Sequence, residues 1–203
     1  DDSTHNVVLK DMELSLGVFN KKNFINQSAL VDGVMYRLLI DAADRAENEL
    51  TVVLVDSITY DTTLPVFLDV VPAAGGYVNS AVLKFTNSEK LQTGSVTWLR
   101  TDGEADGGSP HTMDIPAEYL GSGPQETINI AAPNLINGTI YQLTLNSTDE
   151  AGNISVTTVL DNVHFDTEAP AVVIIYPPDR PAINNTDVGY ELSEHLREAT
   201  FTY

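Results

Sequence analysis

The stretch Asp32–Leu38 (Asp-Gly-Val-Met-Tyr-Arg-Leu) returns 105 positions later as Asn137–Leu143 (Asn-Gly-Thr-Ile-Tyr-Gln-Leu). The correspondence continues without a gap along the chain and pairs Asp44 with Asp149, Ala46 with Ala151, Asn48 with Asn153, Asp56 with Asp161, Pro65 with Pro170, Ser88–Leu91 with Ser193–Leu196, and Trp98 with Tyr203. A period of this size is far longer than a solenoid repeat. It is the size of one whole domain, so the sequence predicts a segment of a tandem domain array.

The pattern of apolar and turn residues predicts an all-β chain. Short apolar or alternating runs are separated by Gly, Pro, Asn and Asp, without a sustained period of 3.6 residues. In the complete unit in the middle of the chain, strands are expected at 66–71, 81–86, 95–101, 112–115, 127–131, 140–147 and 155–165. Seven short strands with this spacing are typical of a Greek-key β-sandwich.

Two aromatic residues refine the expected sandwich to the immunoglobulin-like type. Trp98 is on the third predicted strand, where such domains place a core tryptophan, and Tyr141 is near the start of the sixth, where they place a corner tyrosine. Leu143 stands where an antibody domain has a cysteine. We therefore expect Trp98 and Tyr141 to pack in the core.

The repeat also predicts where the domains begin and end. The stretches 61–65 and 166–170 each follow a seventh strand, precede a first one and contain a proline, which stiffens the chain. They are expected to be interdomain linkers. The predicted units are residues 1–63 (strands four to seven), 64–168 (complete) and 169–203 (strands one to three).

The two partial units raise the question of what completes them. His5 corresponds to His111 and Tyr203 to Trp98, so together they lack only a short loop. Three explanations stay open: a piece of a longer array, an arbitrary boundary, or the tail of one molecule completing the head of the next. Because half a sandwich exposes strand edges and an apolar face, we expect both surfaces to pair with a neighbouring chain or an adjacent repeat.

Composition restricts the class of protein. Of 203 residues, 42% are hydrophobic and 19% are charged, which is typical of a folded chain, and there is no cysteine. The formal net charge of −19 disfavours nucleic acid and anionic lipid as partners and attracts cations. No apolar run approaches the roughly 18 residues of a membrane span. The N-terminus does not resemble a signal peptide, so any targeting signal is expected to be removed or to lie outside this segment.

Catalytic motifs are not found in the sequence. The four histidines (His5, His111, His164 and His195) are scattered, and no metalloprotease, phosphate-binding or nucleophile-elbow pattern occurs. Pairs of carboxylates arise by chance among 29 acidic residues. A non-enzymatic protein is therefore expected.

One candidate calcium site is the loop that follows the third strand. Asp102, Glu104 and Asp106 alternate there, and Gly107 is the sixth residue, as at the start of an EF-hand loop. The closing glutamate is missing, since Met113 stands in its place. The alternative is a solvated acidic turn.

A second candidate calcium site is at the predicted linkers. The loops after strands two and six of a sandwich lie at the end where the chain enters, which brings Glu89, Asp149 and Asn153 near Asp61. The next linker would pair Asp166 with Glu194. Clustered carboxylates repel each other unless a cation joins them. Alternatively, Asp149 and its counterpart Asp44 form Asx turns that cap tight loops; the two interpretations are compatible.

Three motifs together resemble those of bacterial immunoglobulin-like repeats, which occur in giant surface adhesins and other extracellular proteins. They are the linker 166–170 (Asp-Thr-Glu-Ala-Pro), the loop 148–153 (Thr-Asp-Glu-Ala-Gly-Asn) and the segment 88–91 (Ser-Glu-Lys-Leu). The resemblance implies a rod of stacked sandwiches, often stiffened by calcium at the joints. One departure is Glu47, which stands where the second copy has Gly152.

These observations favour a structural module of an extracellular or cell-surface bacterial protein, forming a stalk, surface layer or head-to-tail fibre. The alternative is an accessory carbohydrate-binding module of a secreted polysaccharide-degrading enzyme. That alternative requires a row of exposed aromatic rings on one sheet face, and Trp98 is assigned to the core.

Overall fold

The computed structural model describes residues 29–128, 133–176 and 186–202, and within them the chain is all-β. The described residues form twelve strands: β1 (Val34–Ala43), β2 (Glu49–Tyr60), β3 (Phe67–Val71), β4 (Tyr77–Val78), β5 (Leu83–Asn87), β6 (Leu91–Gly103), β7 (His111–Asp114), β8 (Gly123–Ile128), β9 (Thr139–Asp149), β10 (Thr158–Phe165), β11 (Val172–Tyr176) and β12 (Gly189–Leu192). A short 3-10 turn, Ala117–Tyr119, precedes β8. No helix in this part of the chain is long and apolar enough to cross a membrane.

Eight of the strands, β3 to β10, form two sheets that share one core. The order is β3-β5-β8 in the smaller sheet and β4-β10-β9-β6-β7 in the larger one. Neighbouring strands are antiparallel except β4 and β10, which are parallel. This arrangement is a β-sandwich.

Strict alternation along β9 explains its place at the centre of the larger sheet. Every second side chain, including Tyr141, Leu143 and Leu145, is buried, and the intervening ones are half-exposed. Successive side chains of a strand point to opposite faces, so one face of β9 supplies the core. Each fully buried large apolar side chain stabilises the fold by about 1.5–3 kcal/mol.

The aromatic pair predicted to lie in the core is found there. Trp98 of β6 and Tyr141 of β9 are fully buried, and their rings meet edge to face with centroids 5.9 Å apart. Across the core, Phe67 and Phe85 from the smaller sheet form a second edge-to-face pair at 5.0 Å. The core prediction for Trp98 and Tyr141 is confirmed.

The remaining strands form two small antiparallel sheets, β1-β2 and β11-β12. Their positions repeat those of strands in the sandwich at the sequence offset: β11 spans 172–176 and β3 spans 67–71, 105 positions apart. β1 likewise starts at Val34 and β9 at Thr139. Residues 1–28, which include His5, and the final Tyr203 lie outside the described residues.

Most predicted strands agree with the structure, and the all-β prediction is confirmed. The strand expected at 127–131 starts earlier, at Gly123, and residues 129–132 lie outside the described part. The strand expected from 155 starts at Thr158, and Ile154 before it forms an isolated antiparallel bridge with Thr148. The sequence missed β4, because two residues in a Gly- and Ser-rich stretch carry no detectable period.

Candidate metal centre at the linker

Three carboxylates from three separate segments meet beside the linker that precedes β3. Asp61 follows β2, Glu89 lies in the turn between β5 and β6, and Asp149 ends β9. One carboxylate oxygen from each lies within 4.8 Å of the others. Among the described residues, no other group of three His, Cys, Asp or Glu side chains lies close enough together to share a metal ion. We call it the carboxylate triad.

Asp149 is the buried and most firmly held member of the triad. Its Oδ1 accepts a hydrogen bond from the Asn153 backbone N–H at 2.8 Å, and its Oδ2 accepts one from Asn153 Nδ2 at 2.8 Å. Burial raises the pKa of Asp149, but the hydrogen bonds from Asn153, Gly152 and Ala151 outweigh it and leave the pKa below its usual value. Asp149 is therefore a carboxylate at neutral pH.

The same side chain of Asn153 joins the triad to the linker. Its Nδ2 also donates a hydrogen bond to the backbone carbonyl oxygen of Asp61, at 3.1 Å. The turn between β9 and β10 thus contacts the linker directly. Gly152 in this turn has φ = +93°, a conformation that glycine adopts without strain.

Glu89 is the member whose charge is least well compensated. Burial raises the pKa of Glu89, and the nearby charges of Asp61, Asp149 and Asp32 raise it further. Its Oε1 is buried, and no donor in the described part of the chain reaches that oxygen. The adjacent Lys90 pairs instead with Glu150 at 2.5 Å. A proton or a bound cation would relieve this arrangement.

The second predicted linker repeats part of this geometry. Asp166 and Glu194, 105 positions after Asp61 and Glu89, line the same surface cleft together with Pro170. Asp166 Oδ1 accepts the backbone N–H of Glu168 at 3.0 Å, as Asp61 Oδ1 accepts that of Thr63 at 3.0 Å. In the described ranges, no third carboxylate completes this pair at the spacing of the triad.

Further hydrogen bonds recur at the two linkers. Ser88 Oγ accepts the backbone N–H of Val66 at 2.9 Å, and Ser193 Oγ accepts that of Ala171 at 2.8 Å. The backbone N–H of Thr62 donates to Asp32 Oδ1 at 2.5 Å, and that of Thr167 donates to Asn137 Oδ1 at 2.7 Å. Each linker is thus bonded to the turn that precedes β1 or β9, earlier in the chain, and to the residue that directly follows β5 or β12, later in the chain.

The acidic loop after β6 does not assemble a comparable group. Asp102 belongs to the end of β6, and the side chains of Asp102, Glu104 and Asp106 do not form a close set within the described residues. The backbone carbonyl oxygen of Glu104 accepts Arg100 Nε at 2.7 Å. The EF-hand-like spacing in sequence is therefore not matched by a convergence of the three carboxylates.

Asp106 instead forms a buried network that the sequence analysis missed. Its Oδ2 lies 2.7 Å from Tyr141 Oη, which donates to it, and 2.7 Å from His111 Nε2. Burial raises the pKa of Asp106, but hydrogen bonds from His111, Tyr141 and Gly108 outweigh it and lower the pKa. Tyr141 Oη also accepts the backbone N–H of Ile136 at 3.0 Å. The network fastens the loop to β9.

Comparisons with known proteins add no assignment. No protein-family model matches the sequence, and no curated protein matches it.

Proposed function

We propose that this chain is a structural, non-enzymatic segment of an extracellular bacterial protein, in which immunoglobulin-like sandwiches follow one another in a stiff stalk, surface layer or fibre. The observation that carries the proposal is the recurrence of one set of linker hydrogen bonds 105 positions apart, before β3 and before β11. A chain that repeats its connections as well as its strands is organised in series.

The immunoglobulin-like assignment is supported by strand order. When the two-residue β4 is not counted, the three-stranded sheet holds the first, second and fifth strands, and the larger sheet holds the third, fourth, sixth and seventh. Trp98 and Tyr141 occupy the corresponding core positions on the third and sixth strands. Tyr36 on β1 repeats the corner contact, because its Oη accepts the backbone N–H of Val31 at 2.8 Å.

The short linkers restrict bending between successive sandwiches. Between β2 and β3 the chain is bonded to Asp32 through Thr62 and Thr63, and to Ser88 through Val66. Pro65 fixes one further dihedral angle and is buried. Few backbone angles in this linker are left free to bend, so tension applied at one end would be transmitted to the next sandwich.

Calcium is the cation that best fits the carboxylate triad. All the available donors are oxygens, from Asp61, Glu89 and Asp149, and hard oxygen donors favour Ca²⁺ over the softer transition metals. Asn153 holds Asp149 and the Asp61 carbonyl group in place. A bound ion would tie the linker to the sandwich that follows it.

Single-molecule force spectroscopy tests this function. We expect residues 64–168 to unfold as one cooperative unit that releases roughly 350 Å of contour length. We also expect calcium to raise the unfolding force of the wild-type chain but not that of Asp61→Asn. Asp114→Asn, an exposed substitution with the same charge change, is the matched control. Gradual extension without a discrete event of this length would overturn the proposal.

A further inference from the structure

The outer edge of β10, in the complete sandwich, has a covered half and an open half. In the covered half, the Asp161 carbonyl oxygen accepts the Gly75 N–H at 2.9 Å, and β4 pairs with His164 and Phe165. In the open half, residues 158–160 pair with β9 on their inner side. Among the described residues, no strand pairs with their outer side. The larger sheet therefore ends there on unpaired backbone.

The sequence around the open half favours pairing with a further strand. Residues 154–160 (Ile-Ser-Val-Thr-Thr-Val-Leu) are rich in β-branched side chains and contain no charged residue, no proline and no glycine. Segments of this composition and length readily join other strands. Val156 is 71% exposed and Val159 is 46% exposed. We call residues 154–160 the open edge.

The smaller sheet ends on the same side of the sandwich. Its edge strand β3 leads through residues 72–76 into β4, which pairs with β10, so β3 follows the same side as the open edge. Leu68 and Val71 of β3 are 47% and 49% exposed. With Val156 and Val159 they place apolar side chains on the side where the backbone is unpaired.

The charges along this side of the sandwich are negative. The segments 64–78 and 154–166 contain no lysine or arginine, and they carry Asp69, Asp161 and Asp166. Asp69 and Asp161 are exposed. Natural proteins often protect an open strand edge with lysine, which is absent from both segments. The whole chain has a formal net charge of −19. A positively charged strand is therefore the electrostatic complement of this edge.

We infer that the open edge binds an extended segment of a partner protein in which apolar residues alternate with lysine or arginine. The backbone of that segment continues the larger sheet beyond β10 by strand addition. Its apolar side chains cover Val156 and Val159, and its positive charges complement Asp69 and Asp161. A second copy of this chain fits less well, because it brings another net charge of −19 to the contact. The interaction does not depend on how successive sandwiches are arranged.

Binding of a synthetic peptide to the full chain tests the inference. The peptide alternates valine and lysine and has both ends blocked, and isothermal titration calorimetry follows its binding. We expect saturable binding, with slower hydrogen exchange at residues 158–160. A peptide with the same side chains but N-methylated backbone amides keeps the charges and lacks the donors, so it is expected not to bind. A peptide with glutamate in place of lysine is also expected not to bind.

Two matched variants locate the contact. Val159→Lys places a like charge against the peptide and is expected to weaken binding about tenfold or more. Leu99→Lys makes the same change of charge at an exposed position of β6, which lies inside the larger sheet, and is expected to bind as the wild type does. If circular dichroism shows that Val159→Lys fails to fold, Val156→Lys replaces it.

Several results would overturn strand addition at the open edge. These are no binding of the valine–lysine peptide, equal binding of its N-methylated form, equal losses in the two lysine variants, and slower exchange confined to other strands. Self-association that Val159→Lys abolishes and the peptide does not inhibit would identify a second copy as the occupant, and would overturn the inference as well.

Discussion

Asn153 Nδ2 lies 3.1 Å from the backbone carbonyl oxygen of Asp61, 92 positions earlier in the chain, and donates a hydrogen bond to it. The same amide group lies 2.8 Å from Asp149 Oδ2. One side chain therefore holds both the buried carboxylate of the triad and the linker. The connection between the linker and the sandwich depends on this contact even before any ion is considered.

Asn153→Ala is expected to destabilise the sandwich by about 1–3 kcal/mol, because the buried Asp149 Oδ2 and the Asp61 carbonyl oxygen lose a donor. Urea denaturation followed by Trp98 fluorescence measures the change. Asn48→Ala removes the corresponding donor from Asp44 in an exposed turn and serves as the matched control. We expect a much smaller loss there, and equal losses at the two positions would contradict the special role of Asn153.

Glu89→Gln is expected to stabilise the sandwich in a chelator at pH 7, by on the order of 1 kcal/mol, because it removes one of three clustered negative charges. The folded-state pKa of Glu89 is raised above its unfolded value, so its ionised form opposes folding and the penalty grows as pH rises through the folded pKa. In calcium the order is expected to reverse, since the variant lacks a ligand. Thermal unfolding with and without calcium measures both effects. If the order is the same in both buffers, the triad does not bind the ion.

Asp106→Asn is expected to weaken the acid sensitivity of the sandwich. The folded pKa of Asp106 is lowered by His111, Tyr141 and Gly108 despite burial, so its stabilising contribution is present above the unfolded pKa near 3.8 and is lost as pH falls through the lower folded pKa. The free energy of unfolding, measured from pH 6 down to the acid transition, is expected to fall less steeply in the variant. The exposed Asp114→Asn should keep the wild-type slope. Identical slopes for wild type and Asp106→Asn would show that the ionised Asp106 carboxylate does not contribute to the stability of the sandwich.

Glu47→Gly is expected to stabilise the β1-β2 hairpin by about 0.5–1 kcal/mol, because Glu47 has φ = +65° where the second copy has Gly152 at φ = +93°. Slower hydrogen exchange in a peptide covering 34–60 would report the effect. The reverse substitution, Gly152→Glu, is expected to speed exchange around β9 and β10. If Glu47→Gly speeds exchange instead, the backbone at Glu47 is not strained.

The sequence predicted most of the sandwich because its signals are local. Alternation along β9 and turn residues between strands are visible in a short window, and the two copies confirm each other's register. The sequence did not predict β4, because this short strand pairs with His164 and Phe165 of β10, far along the chain.

For the candidate site too, the sequence predicted some of the contacts and not others. That Asp61, Glu89 and Asp149 lie near one another was predicted from sandwich topology, which fixes the end at which each loop lies. The position of Asp106 was not predictable, because its partner Tyr141 is 35 positions away and nothing in the acidic loop marks one carboxylate as buried. Sequence spacing alone therefore suggested a loop cation site at a position where the structure has a structural anchor.

The arrangement of the units in series is tested most directly by small-angle X-ray scattering from the monomer peak of a size-exclusion column. A compact globule of 203 residues would have a radius of gyration of about 17 Å. The proposed series of sandwiches predicts a clearly larger radius, with a cross-section close to that of one sandwich and a further stiffening in calcium. A radius near the compact value, unchanged by calcium or chelator, would contradict it.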